Sequence, residues 1–194
     1  LGALFDFCDG FAARLFHAPS AIGKELDSLA DLITFGLAPA LICYGMLSWC
    51  FQSFDSVTAS IVPYSAFALT IASGIRLARF NLDTRQSSVF IGMPVPANAI
   101  FWCGISDIFY KYGTHSAVNA YIIILLVVLF CYLMNSNMYM FSLKFKSFGW
   151  SENKLRYLLV AASAILALLA GLMAGAYIIV LYLVMSILTQ KEYK

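Results

Sequence analysis

The sequence predicts an all-α protein, a polytopic bundle of transmembrane helices. Hydrophobic residues make up 62% of the 194 residues and charged residues only 11%, whereas soluble domains have about 45–50% and about 25%. The mean hydropathy is +0.84, and the apolar residues form runs long enough to cross a bilayer. These values argue against a soluble enzyme, and no basic run points to a nucleic-acid partner.

Apolar runs and helix breakers divide the chain into about seven helices. Pro19 ends the first run. The last run, 155–189, is too long for one ordinary span of about 20 residues, and Gly171 and Gly175 offer a turn that divides it into two helices. The predicted helices cover residues 1–17, 24–50, 57–80, 94–112, 117–141 and the two parts of 155–189.

We expect a further helix before the first residue. The chain begins with Leu1 rather than Met, and only five residues precede Asp6 although this segment is already apolar. The first helix therefore looks cut, and residues 1–194 are expected to form one membrane-embedded domain that is truncated at its N-terminus. The stretch 142–154 mixes aromatic residues with lysines and is expected to lie at the headgroup level as a connector.

The basic residues collect on one side of the predicted bundle. If the loop 18–23 lies in the cytoplasm and each helix crosses once, eleven of the twelve Lys and Arg fall on the cytoplasmic side and only Lys111 on the other. This distribution follows the positive-inside rule. We therefore expect an integral membrane protein of a prokaryotic cell membrane, with its functional site facing the cytoplasm.

Four of the seven aspartates lie close together near the start of the chain. Asp6 and Asp9 are three residues apart and Asp27 and Asp31 four apart, so each pair shares a helix face. A short connection makes the two helices antiparallel neighbours, so the pairs can face each other. Four such carboxylates cannot all stay ionised without cations between them. Carboxylate oxygens suit Mg²⁺ or Mn²⁺, and a pair of ions is expected.

Small residues and one basic residue accompany the first aspartate pair. Gly10 and Ala13 lie on or beside the same face and let a phosphorylated ligand approach the backbone, while Arg14 can pair with a phosphate. Two alternatives stay open from spacing alone. The carboxylates could belong to a small ion or proton transporter, or they could only hold two helices together, for which Asn, Ser or Thr would need less desolvation.

The aspartate region resembles the signature of the CDP-alcohol phosphatidyltransferases. All eight defining positions are filled at the family spacing, in the pattern Asp6-x2-Asp9-Gly10-x2-Ala13-Arg14-x8-Gly23-x3-Asp27-x3-Asp31. The stretches 26–40, 76–81 and 90–97 are similar to the phosphatidylserine synthase branch of that family. The resemblance runs through residues 2–100, and beyond them only the hydropathy agrees.

The resemblance implies a helical membrane enzyme that displaces CMP from CDP-diacylglycerol, with L-serine as the acceptor and the membrane lipid as its surroundings. Glycerol phosphate or inositol phosphate is the alternative acceptor, and a homodimer is compatible with such a bundle. A scaffolding fragment without activity is a further alternative. The implied site consists of metal ligands Asp6, Asp9 and Asp27, of Asp31 as general base and ligand of the second ion, and of a CDP site formed by Gly10, Ala13, Arg14 and Gly23.

The acceptor site is expected at the end of the third predicted helix. Serine carries a carboxylate, which favours an Arg partner. Arg76 and Arg79 are three residues apart there, and Asn81 follows them. The alternative is that both arginines are anchors whose side chains extend to the headgroups. Pro94 and Pro96 are expected to fix the start of the next helix rather than to contact substrate.

Overall fold

The computed structural model describes residues 21–52, 57–83, 89–141 and 149–189. Within these ranges the chain forms six long helical stretches and one two-stranded antiparallel ribbon. Helix α1 joins Ala21–Asp31, a π-helical segment Leu32–Leu37 and Ala38–Cys50, and helix α2 joins Val57–Ile61, the 3-10 segment Val62–Phe67 and Ala68–Leu82. The others are α3 (Val95–Tyr112), α4 (Ala117–Asn135), α5 (Trp150–Ala170) and α6 (Ala174–Leu188), with strands β1 (Val89–Ile91) and β2 (Tyr139–Phe141).

The helical membrane class that the sequence predicts is confirmed. Among the described residues, four helical segments are long and apolar enough to cross a membrane, namely Glu25–Cys50, Val57–Leu82, Ala117–Asn135 and Asn153–Leu188. The last of these includes both α5 and α6. The count of about seven helices stays a prediction, because the predicted helix 1–17 lies outside the described residues, as does most of the predicted connector 142–154.

The predicted division of the last apolar run is confirmed. Gly171 has a φ of +56°, in the left-handed region that glycine adopts without a steric penalty. The 3-10 turn Gly171–Met173 follows, and α5 and α6 pack against each other on either side of this turn. Together they form a helical hairpin.

The predicted end of the fifth helix at residue 141 is wrong, because α4 ends at Asn135. Side chains bond the carbonyls of its last turn, which have no partners within the helix. Asn135 Nδ2 donates to Cys131 O at 3.1 Å, and Ser136 Oγ donates to Leu133 O at 2.9 Å. Residues 139–141 instead form β2, with Phe90 of β1 opposite Met140.

Helix α3 lies at the centre of the described bundle and packs against α1 and α6. Its contact with α6 depends on two glycines. A Cβ on Gly104 would lie 2.3 Å from Ala176 N, and a Cβ on Gly175 would lie 2.7 Å from Ile100 O. The rings of Phe101 and Phe130, whose centroids are 4.1 Å apart, fill the core between α3 and α4.

A proline explains why α1 departs from regular α-helical geometry at residues 32–37. In a regular α-helix Pro39 could not donate a hydrogen bond to Phe35 O, and its ring would press on that carbonyl. The chain adopts a wider turn instead, in which Ala38 N–H donates to Ile33 O, five residues earlier. Asn98 Nδ2 of α3 donates to Phe35 O in a long hydrogen bond of 3.4 Å.

Several hydrogen bonds connect neighbouring elements at one end of the bundle, which we call the site end. Asn81 Nδ2 at the end of α2 donates to Ser28 Oγ of α1 at 2.9 Å. The backbone of Gly92, just after β1, donates to Met138 O at 2.8 Å. Tyr182 Oη of α6 donates to Phe141 O of β2 at 3.0 Å. The first of these bonds joins α2 to α1, and the ribbon joins the segment that follows α4 to α6.

Replacing Gly104 with Ala should destabilise the bundle, because the new Cβ would collide with the backbone of α6. The matched control is Gly45→Ala, where the Cβ would meet only Tyr110 Oη at an ordinary 3.5 Å. Helix propensity alone favours Ala by about 1 kcal/mol at both positions. We expect a lower unfolding temperature in detergent for Gly104→Ala and an unchanged or higher one for Gly45→Ala. Equal unfolding temperatures would contradict the close approach of α3 and α6.

Replacing Asn98 with Ala should also destabilise the protein. The fully buried amide accepts a hydrogen bond from Trp102 Nε1 at 3.0 Å and donates to Phe35 O. Losing a partner of a buried polar group costs about 1–3 kcal/mol. The control is Asn119→Ala, which removes bonds to Thr114 near the surface. Thermal unfolding should separate the two variants, and a milder effect at Asn98 than at Asn119 would count against this anchoring of the π-helical segment.

Candidate active site

The first turns of α1 carry three of the predicted site residues. Asp31 is the last residue before the π-helical segment, and Asp27 precedes it by one turn on the same face. Gly23 lies one turn further towards the start of the helix. Asp27 and Gly23 are exposed, and Asp31 is half-buried. The exposure of these groups leaves the acidic face of α1 accessible to a ligand.

The π-helical segment sets the direction in which this acidic face points. An α-helix turns by about 100° per residue, so the wider turn changes the face of Asp27 and Asp31 relative to Ala38–Cys50. Thr70 Oγ1 of α2 donates to Gly36 O at 3.4 Å, and a Cβ on Gly36 would lie 3.0 Å from that of Ser73. The segment is thus held by α2 on one side and by Asn98 of α3 on the other. Such π-helical turns are frequent at functional sites.

Asp31 and Arg76 line one cavity of about 190 Å³ at the site end. Four elements meet around it, since α1, α2, β1 and α3 all contribute to its wall. Besides the two charged residues, the described lining is apolar and consists of Leu77, Phe80, Phe90, Pro94, Val95 and Pro96. A carboxylate and a guanidinium therefore share a small space with mostly hydrocarbon walls, where electrostatic interactions are stronger than in water.

Arg76 is buried, with 4% of its side chain exposed. Its Cζ lies 5.3 Å from the centroid of the Phe80 ring, within cation–π range. A guanidinium that extended to the lipid headgroups would be exposed, so the anchor interpretation does not fit Arg76. Burying a cation is costly without compensating partners, and in a membrane protein such a group is by default a functional candidate.

Arg79 and Asn81 do not line this cavity. Arg79 is exposed, and its Nη1 donates to Asn135 O at the end of α4 at 2.9 Å. The Asn81 amide bonds Ser28 at 2.9 Å. These side chains connect helices in the structure, and their predicted contact with substrate stays a prediction.

The described carboxylates of α1 suit a divalent cation. Asp27 and Asp31 provide hard carboxylate oxygens on one helix face, which suit Mg²⁺ or Mn²⁺. Within the described ranges no three His, Cys, Asp or Glu residues come together as a metal site. The remaining predicted site residues lie outside those ranges, namely Asp6, Asp9, Gly10, Ala13 and Arg14.

The sequence analysis did not predict the ribbon, nor that Pro94 and Pro96 line the cavity in addition to starting α3. Pro94 does precede the first turn of α3, with φ −62° and ψ 140°, and Pro96 lies within that turn, but both also line the cavity. Phe90 reaches the same cavity from β1. A weak signal was present, because Val89-Phe90-Ile91 is a short run of β-branched and aromatic residues followed by Gly92.

Comparisons with known proteins relate this chain to one family. The sequence model of the CDP-alcohol phosphatidyltransferase family matches residues 1–188. A CDP-diacylglycerol–serine O-phosphatidyltransferase of Bacillus subtilis is 39% identical over 99 residues, which are 49% of this chain and 50% of that protein. Proteins of the same name from Methanocaldococcus jannaschii and Saccharomyces cerevisiae are 34% identical over 127 residues and 39% identical over 115 residues.

The matched region covers only part of these relatives. It corresponds to 66% of this chain and 57% of the Methanocaldococcus protein, and to 55% of this chain and 38% of the Saccharomyces protein. The family match, by contrast, extends over nearly the whole chain and includes the helices that form the cavity of Asp31 and Arg76. The chain belongs to the CDP-alcohol phosphatidyltransferase family.

Proposed function

We propose that the protein transfers a phosphatidyl group from CDP-diacylglycerol to L-serine and releases CMP. The observation that carries the proposal is that Asp31 and Arg76 line the same cavity. Asp31 would be the base and Arg76 the partner of the serine carboxylate. The relatives that bear the name of this activity support the choice of substrates.

The proposed reaction is a single displacement at the phosphorus on the lipid side of the diphosphate. The serine hydroxyl oxygen attacks this phosphorus, and the bond from the phosphorus to the oxygen that bridges to CMP breaks. Asp31 takes the hydroxyl proton during the attack, because a serine hydroxyl is a weak nucleophile until a base removes its proton. The products are phosphatidylserine and CMP.

The four aspartates of the signature would hold the cations. Asp6, Asp9 and Asp27 are the proposed main ligands, Asp31 is a further ligand of the second ion, and the ions are Mg²⁺ or Mn²⁺. When bound, two such ions neutralise charge on the diphosphate and on the leaving CMP. Asp27 is exposed on α1, where a cation can reach its carboxylate.

The nucleotide would lie along the start of α1. Gly23 is exposed one turn before Asp27, and a residue without a side chain lets a phosphate or ribose approach the backbone. Gly10, Ala13 and Arg14 would complete this CDP site, with Arg14 pairing with a phosphate.

The cavity favours serine over an acceptor that carries a phosphate. Among its described lining residues Arg76 is the one basic side chain. One guanidinium matches the single carboxylate of serine, whereas the dianion of glycerol phosphate or inositol phosphate should require more positive charge. Arg79 and Asn81 would contribute to substrate binding only at the outer edge of the site.

The site end would face the cytoplasm of a prokaryotic cell. Arg76 and Arg79 lie at this end, and Lys154 and Arg156 lie in the first turns of α5. Lys111 is near the opposite end, at the last turn of α3, where its Nζ lies 2.9 Å from Asp107 Oδ2. This asymmetry among the described residues supports the proposed orientation. A homodimer remains part of the expectation for the assembled enzyme.

Membranes that contain the full-length protein should release CMP from CDP-diacylglycerol only when serine and Mg²⁺ or Mn²⁺ are both present. Asp31→Asn should lower kcat by at least about 10²-fold, the lower range for the loss of a general base, while binding of the CDP-lipid is retained. The change is measured by CMP release and by a separate binding assay with CDP-lipid. Near-normal turnover by Asp31→Asn would exclude it as the base, and ion flux across liposomes without any nucleotide dependence would support a transporter instead.

Arg76→Lys should raise the KM for serine by about tenfold or more, because Lys keeps the charge but loses the planar fork that binds a carboxylate with two hydrogen bonds. Arg156→Lys is the matched control, since Arg156 donates to Asn153 Oδ1 on its own helix at 2.8 Å and does not line the cavity. The KM for CDP-diacylglycerol should change little in either variant. An unchanged KM for serine in Arg76→Lys would remove Arg76 from the acceptor site.

A further inference from the structure

Side-chain hydrogen bonds fix the carboxyl end of α2 on two sides. Towards α1, Asn81 Nδ2 donates to Ser28 Oγ at 2.9 Å in a partly buried bond. Towards α4, Arg79 Nη1 donates to Asn135 O at 2.9 Å. Arg76 lies on the same helix within two turns of these donors, and its side chain lines the cavity of the proposed site.

Ser28 lies on the side of α1 that contacts α2, next to the acidic face. Among the residues from 22 to 30 whose side chains the structure describes, Ser28 is half-buried and the others are exposed. Asp31 follows Ser28 by three residues, so the two side chains are neighbours on the helix surface. A rotation of this part of α1 about its axis therefore moves both of them.

Two pairs of residues face each other across α1 and α2 at the site end. Ser28 and Asn81 form the outer pair, which is joined by a hydrogen bond, and Asp31 and Arg76 form the inner pair, which lines one cavity. With a rise of about 1.5 Å per residue, Asp31 lies about 4.5 Å along its helix from Ser28, and Arg76 lies about 7.5 Å along its helix from Asn81. The outer bond is therefore close enough to influence the spacing of the inner pair.

We propose that Asn81 is a positioning residue, which through its hydrogen bond to Ser28 sets the separation between Asp31 and Arg76. This inference rests on the proposed function, in which Arg76 binds the carboxylate of serine and Asp31 takes the proton of its hydroxyl. These two groups of serine are joined through only Cα and Cβ. The two protein side chains must therefore be held at a distance that matches one short molecule.

Asp31 is then constrained by the chain on both of its sides. The π-helical segment after it is held by Thr70 of α2 and Asn98 of α3, and the turn before it is held by Asn81 through Ser28. With both connections in place, the carboxylate has a defined position before the substrate binds. A group that is positioned in advance needs no rearrangement during the reaction.

The competing role of Asn81 is a direct contact with the substrate at the outer edge of the site. Asn81 does not line the cavity of Asp31 and Arg76, and its amide donates to Ser28. The two roles give opposite expectations for a change at Ser28. Removing the Ser28 hydroxyl breaks the connection between the helices but leaves the Asn81 side chain in place.

The test compares Ser28→Ala with Ser106→Ala. Both serines are half-buried on helices, but Ser106 Oγ donates to Cys103 O of its own helix at 2.8 Å and does not line the cavity. Ala favours a helix more than Ser does, so a lower rate would not reflect loss of the helix. Since a misplacement of about 1 Å can cost about 100-fold in rate, we expect Ser28→Ala to lower kcat for serine-dependent CMP release about tenfold, while Ser106→Ala resembles the wild type.

The KM for serine should change little in Ser28→Ala. Binding requires only that Arg76 holds the carboxylate, whereas proton transfer requires Asp31 at the correct distance at the same time. Asn81→Ala should give the same loss of kcat as Ser28→Ala. The double variant should lose no more than either single variant, because all three lack the same hydrogen bond.

A normal kcat in Ser28→Ala would overturn the proposal. Losses that add in the double variant would also overturn it, because the two side chains would then act independently. A higher KM for serine in Asn81→Ala, without any effect of Ser28→Ala, would assign Asn81 to substrate binding instead. If the wild type releases no CMP in response to serine, the proposed function itself fails. If the wild type is active and the variants give one of these contrary results, only the positioning role is wrong.

Discussion

The need to keep charged groups inside an apolar bundle constrains the rest of the site. Arg76 is buried, and Asp31 is half-buried beside the same cavity. A buried guanidinium and a carboxylate are tolerated in such surroundings only with compensating partners. Phe80 stacks under Arg76, and hydrogen bonds join α1 to both α2 and α3. These contacts hold the charged groups and their surroundings in position. The fold at the site end is therefore best understood as a support for a small number of ionisable groups.

The helical membrane class and the acidic face of α1 could be predicted from the sequence for a physical reason. Both depend on local patterns. Apolar runs, glycine breaks and aspartates four residues apart have the same structural consequence wherever the helix packs. The break at Gly171 is of this kind, because a left-handed φ is a property of one residue. Arg76 and Arg79, in contrast, are equivalent in sequence pattern. Only tertiary packing makes Arg76 a cavity residue and Arg79 a cap on α4.

The features that sequence reasoning missed depend on contacts between distant segments. The ribbon pairs residues 89–91 with 139–141, and a three-residue strand has almost no periodicity from which it could be recognised. At the end of α4, Asn135 Nδ2 donates to Ala72 O of α2 at 3.1 Å. The π-helical segment had a local cause in Pro39, but a proline predicts only a disturbance of the helix. Asn98 on α3, which is 63 residues away in the sequence, donates to Phe35 O within this segment.

The position of the ribbon links the site to the hairpin of α5 and α6. Phe90 lines both the cavity of Asp31 and Arg76 and a larger apolar cavity of about 470 Å³ between α3 and the hairpin of α5 and α6, and it lies opposite Met140. Strand β2 accepts a hydrogen bond from Tyr182, which also lines the larger cavity. A displacement of α6 relative to α3 would therefore move the wall of Phe90, Pro94 and Pro96 that the two cavities share. Gly104 lies against the backbone of Ala176 and Gly175 against that of Ile100, so the two helices are in backbone contact and have little freedom to slide. The same close packing that stabilises the bundle thus keeps the larger apolar cavity at a fixed distance from Asp31.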